Sequence, residues 1–113
     1  MRIVTDSITI KELRVMAAAL FGNLVKGVVD VERMVLALDA ELHSDLEAIL
    51  LQNGSQQRDL WGINLYPEEP PDTLIEFDSL INVRPSQNNR SRGVEDAETR
   101  QRITHVIELR IRQ

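Results

Sequence analysis

The sequence predicts an α+β domain with the element order α-β-β-α-β-β-α, an antiparallel sheet of about four strands and helices packed on one face. Three observations carry this. Two Thr/Ser-x-x-Glu signatures precede helically spaced apolar residues, and a third such stripe lies near the C-terminus. Between these stretches stand β-branched or alternating runs bounded by turn residues. The 113 residues suit one domain, 1–113, and a chain of this size buries about two thirds of its unfolded surface without a disulfide or metal staple.

The first helix starts at the capping box Thr9-Ile10-Lys11-Glu12 and continues through Leu13, Met16, Ala17, Leu20 and Phe21. Gly22 or Asn23 should end it. Residues 24–29 and 33–38 are apolar and β-branched, with Asp30-Val31-Glu32 between them, and read as a hairpin. Ser44-Asp45-Leu46-Glu47 forms a second capping box, with Leu46, Ile49 and Leu50 turned inward and Gly54 just beyond the end. Residues 58–66 alternate as a strand with Trp61, Ile63 and Leu65 on one face. Three prolines stiffen the connection at 67–72. Residues 74–84 are expected as the next strand. Period two puts Ile75, Phe77, Ile81 and Val83 in the core, and Glu76, Asp78, Asn82 and Arg84 on the other face. The last helix, about 96–112, takes Asp96 as its N-cap and Ile103, Val106, Ile107 and Ile111 as its apolar stripe.

Composition narrows the function. The chain has no cysteine, which excludes a thiolate zinc site and a cysteine nucleophile. The N-terminal residues lack the apolar run of a signal peptide and no segment is long enough to span a membrane, so a cytoplasmic location without membrane association is expected. The net charge of −5 hides a division. Residues 1–83 hold six Lys/Arg against fourteen Asp/Glu, whereas residues 84–113 hold seven arginines against four acids. That balance argues against a dedicated nucleic-acid binder and permits a local anion site, or a homo-oligomer in which an acidic face meets a basic one.

The loop Asn82–Gly93 carries the clearest chemical leaning, with three arginines, three asparagines, two serines and no acid. Arg84, Asn88, Asn89, Arg90, Ser91 and Arg92 are the expected ligand-binding residues for a phosphate or carboxylate. Each charge-assisted bond contributes roughly 1.5–3 kcal/mol, so two or three hold a small anion. The competing reading pairs these arginines with Glu76, Asp78 or Glu95, or with a partner subunit. Glu41 and His43 would share a face if extended, but the alternation runs into a helix, so no metal site is assigned. Glu41, His43 and Asp78 are the nearest candidates for acid–base chemistry. No phosphate-binding glycine loop, nucleophile elbow or RNA-binding signature occurs, and no cofactor is indicated.

The run from Lys26 to Asp96 also resembles a family of small bacterial and archaeal proteins known only as a domain of unknown function. The resemblance rests on Glu41-Leu42-His43-Ser44-Asp45-Leu46-Glu47, Asp59-Leu60-Trp61-Gly62-Ile63-Asn64-Leu65-Tyr66-Pro67, Ser79-Leu80-Ile81-Asn82-Val83-Arg84-Pro85 and Asn89-Arg90-Ser91-Arg92. It implies a small cytosolic domain and supplies no activity or catalytic residue. The expected function is binding of a small anionic ligand through the Arg/Asn loop, the alternative a homodimeric, non-enzymatic interaction module.

Overall fold

The computed structural model describes residues 1–113. It is an α+β fold built on a five-stranded sheet. Its elements are β1 (Arg2–Val4), β2 (Ile8–Thr9), α1 (Ile10–Ala19), β3 (Val25–Asp30), β4 (Val35–Leu38), α2 (His43–Gln52), β5 (Leu60–Leu65), β6 (Ile75–Glu76), α3 (Ala97–Arg110) and β7 (Ile111–Arg112). The strand order is β1-β4-β3-β5-β6, every pair antiparallel. A separate parallel pair, β2 with β7, ties the start of α1 to the end of α3.

The helices divide between the two sheet faces, where one shared face was expected. Leu36 and Leu38 of β4, Val25 and Val29 of β3, and Trp61, Ile63 and Leu65 of β5 join α1 and α3 in the larger core. Val35, Ala37, Val28 and Leu60 point the other way and meet Leu46 and Leu50 of α2. Both faces of the central strands are therefore dry, and all four residues of β4 are buried.

The helix ends follow local chemistry. Thr9 and Glu12 form the predicted reciprocal capping box of α1. Gly22, at φ +92°, turns the chain out of α1, and Gly54, at φ +99°, follows α2. Asp96 caps α3 by accepting from the Thr99 amide. The Ser44 box does not form. The helix α2 starts two residues earlier, at His43, its N-cap is Leu42 in place of Ser44, and Leu42 makes no side-chain cap.

The largest departure is the segment expected as strand 74–84. Only Ile75 and Glu76 pair with β5. The chain then leaves the sheet and tightens into a 3₁₀ turn at Leu80–Asn82, capped by Ser79. Period two fails with it: Asn82 is fully buried and Val83 is exposed.

Candidate functional site

The polar loop is organised first by its own asparagines. Asn82 donates from Nδ2 to the carbonyls of Gly62 and Arg92, and its Oδ1 accepts from the Gly62 amide. The buried Asn89 donates to the carbonyls of Asn82, Ser91 and Gly93, while its Oδ1 accepts from the Glu95 amide. Arg84 and Asn89 exchange backbone hydrogen bonds across the loop neck, and Asn88 takes the left-handed conformation at φ 60°. The Glu95 carboxylate accepts from the Arg90 and Ser91 amides, which holds its pKa below the usual carboxylate value. Ser91 Oγ accepts from the Gly93 amide.

The three loop arginines have different surroundings. Arg84 lies over the Trp61 ring, 4.1 Å from its centroid, and donates to the carbonyls of Gln57 and Leu60. It thereby completes the edge of β5 where β6 does not reach, and its burial pushes its pKa down. Arg92 donates from Nε to Asp78 at 2.7 Å, which leaves its terminal nitrogens uncommitted. The Arg90 side chain has no hydrogen-bond or ion-pair partner in the chain. Arg84→Lys should destabilise the protein by about 1–2 kcal/mol, because an ammonium cannot span two carbonyls and stack on an indole together. Chemical denaturation of the two proteins measures this directly.

Arg92 and Asp78 bring the loop to a second place, the start of α2. Here a cleft of about 240 Å³ opens between α2 and the 3₁₀ turn. Its polar lining includes Lys26, His43, Ser44 and Arg92, and its apolar lining Leu42, Leu80 and Ile81. His43 is 9 % exposed, and its Nε2 lies 2.8 Å from the Ile63 carbonyl oxygen. A carbonyl only accepts, so Nε2 carries the proton and Nδ1 keeps the lone pair in the neutral ring. The one side-chain hydrogen bond of His43 uses Nε2, which leaves Nδ1 without a partner within the chain. Burial holds His43 below the ordinary histidine pKa; Lys26 and Arg92 push the same way, against the Ile63 hydrogen bond and Asp78. The imidazole is thus a neutral acceptor near pH 7.

Polar groups continue along the neighbouring strand ends. Asn64 pairs in register with Lys26 on one side and Glu76 on the other. Glu76 accepts from both Asn64 Nδ2 and the Tyr66 hydroxyl, each at 2.9 Å. Burial, and then the bond to Glu76, raise the Tyr66 pKa.

Of the residues singled out in the sequence, the structure gathers His43, Asp78 and Arg92 in one neighbourhood. Glu41 is exposed and lies outside the cleft. Asn88 and Asn89 line a separate hollow of about 300 Å³, where Arg58 and Arg102 are balanced by Asp59 and Asp96. Two larger hollows, about 400 and 490 Å³, flank α3 and share Gln101 and His105. Glutamates there offset the single arginine of each, so neither concentrates positive charge. No group of three His, Asp or Glu side chains is placed to share a metal ion. Lys26 and Ser44 were missed as site residues. The available signal for Lys26 was one cation inside the otherwise apolar run 24–29.

No helix is long and apolar enough to cross a membrane. No curated protein and no solved structure matches the chain. The sequence model of one family matches residues 2–110, nearly the whole length, and the chain belongs to that family, described as "Protein of unknown function (DUF5674)".

Proposed function

We propose that this protein binds a small anionic ligand, carboxylate- or phosphate-bearing, in the cleft at the start of α2. The observation that carries the proposal is the meeting of Lys26 and Arg92, beside the buried ring of His43, at one helix N-terminus whose first turn has no side-chain cap. Lys26 supplies a point charge, and the terminal nitrogens of Arg92 supply a planar pair of donors. Ser44 adds a hydroxyl, and the positive end of the α2 dipole favours negative charge at the same place. The Asn/Arg loop then has two tasks. Asn82, Asn89 and Ser91 fix its shape, so that Arg92 is held against Asp78 and turned toward the cleft.

Pairing of two copies through acidic body and basic loop is the second reading. It draws on the exposed, unpartnered Arg90, but the engagement of Arg84 and Arg92 within the chain leaves it fewer cations to use.

Titration with inorganic phosphate and with acetate, followed by amide NMR shifts, tests the anion reading. Saturable shifts should centre on Lys26, His43, Ser44 and Arg92. Lys26→Ala and Arg92→Ala should each weaken binding about tenfold or more, the equivalent of one lost charge-assisted hydrogen bond. Both side chains are solvent-accessible enough for the variants to fold, which circular dichroism checks. Shifts elsewhere, or unchanged affinity in both variants, would refute the assignment.

A further inference from the structure

We infer that the preferred ligand of this cleft is a monoanion with an apolar body, specifically a short alkyl monocarboxylate. The inference rests on the reading of the cleft as an anion site and extends it to a ligand class.

The charge around the cleft sets the first limit. Lys26 and Arg92 bring two positive charges, and Asp78 on Arg92 returns one negative charge. The His43 ring is neutral near pH 7. The remaining single positive charge complements one carboxylate better than a doubly charged phosphate monoester.

The apolar lining sets the second limit. Leu42 is 54 % exposed and Leu80 is 70 % exposed, and both line the same cleft, with the half-buried Ile81 beside them. A single exposed leucine is ordinary, but here two border one cationic cleft. Leu80 is also held there by a stiff framework. Ser79 Oγ accepts from the Ile81 amide, the Ser79 and Leu80 carbonyls accept from Asn82 and Val83, and Asn82 is anchored to Gly62. The turn cannot fold Leu80 inward without breaking buried hydrogen bonds. An alkyl chain lying between Leu42 and Leu80 would cover both while its carboxylate reaches Lys26 and Arg92. The 240 Å³ volume suits a small acid and falls below the usual range of roughly 300–1,000 Å³ for drug-sized ligands.

The test is a binding series on the full chain with acetate, butyrate, hexanoate and inorganic phosphate, read by NMR shifts. Affinity should rise about threefold for each added methylene, close to the value for burying one CH₂ group. Leu80→Ala and Leu42→Ala should flatten that dependence, weakening hexanoate far more than acetate, and both positions are exposed enough to keep the fold. If acetate, hexanoate and phosphate bind alike, the alkyl-carboxylate inference is wrong and the anion site survives. If hexanoate binds but is indifferent to Lys26→Ala with Arg92→Ala, the tail is held elsewhere and the inference is wrong. If none of the four perturbs the cleft, both the inference and the anion reading fall.

Discussion

Asn82→Ala should cost the protein about 3–5 kcal/mol of stability, the largest loss expected from any single polar substitution here. The carboxamide of Asn82 takes the part of a missing strand. The two-residue β6 ends its pairing at Asn64, two positions before Gly62 in the register. Beyond that point Asn82 meets Gly62 as a β partner would, accepting from its amide and donating to its carbonyl. A third bond reaches the Arg92 carbonyl and so ties the Arg/Asn loop to the sheet. Alanine would leave the Gly62 amide and carbonyl without partners, with Gly62 buried, at about 1–3 kcal/mol for each buried group. Asn82→Asp should be no rescue, because it removes both donors and places a charge in a fully buried position. Urea denaturation measures the effect, and a loss under about 1 kcal/mol would mean that water replaces the carboxamide.

Gly62→Ala should cost about 3 kcal/mol for a different reason. A Cβ at this position would lie 2.5 Å from Ser79 Cβ and 2.7 Å from its Oγ, with Ile81 Cγ1 at 3.1 Å. Rotation of the serine hydroxyl cannot relieve a contact with Cβ itself. The Ser79 backbone is also held, since its amide donates to the Arg92 carbonyl. Overpacking of this kind costs about 1–3 kcal/mol or more. The entropy gained by replacing glycine in the unfolded chain is about 0.4–1 kcal/mol, too little to reverse the sign. The turn should move outward and carry Leu80 and the wall of the cleft with it, so ligand binding should weaken along with stability. Thermal unfolding and the anion titration, run on the same variant, distinguish this from a local adjustment: unchanged values in both would show that the turn yields freely.

These two positions also show where the sequence was legible. Capping chemistry is local, so Thr9, Glu12 and Asp96 marked the starts of α1 and α3 correctly. The hairpin of β3 and β4 was legible because Asp30 accepts from the Glu32 and Arg33 amides and shapes the turn within four residues. The path from Ser79 to Arg84 was not. Alternation assumes extended backbone, and the 3₁₀ turn that reverses Asn82 and Val83 depends on a glycine on another strand. The three residues of β1 were too few to show a pattern. The placement of α2 on the opposite face was signalled by the unbroken apolar run Val35–Leu38, which half-exposed strands lack. For the site, the composition of the Asn/Arg loop suggested a ligand, whereas Asn82 and Asn89 direct their carboxamides at neighbouring backbone groups. Only packing could reveal that Arg92 and Asp78 meet His43 and Lys26, because those residues come from four separate segments.

The central claim is that Lys26 and Arg92 form one anion site beside His43, and His43 can report on it directly. Its ring titration, followed by proton–carbon NMR, should give a pKa below the ordinary histidine value in the absence of ligand, through burial first and the nearby cations second. A bound carboxylate favours the protonated ring, so saturating acetate or hexanoate should raise that pKa. The Lys26→Ala, Arg92→Ala double variant should abolish the ligand-induced rise, and the signal of His105, exposed on α3, should ignore the ligand in the same spectra. A His43 titration that is identical with and without the anion would contradict the site.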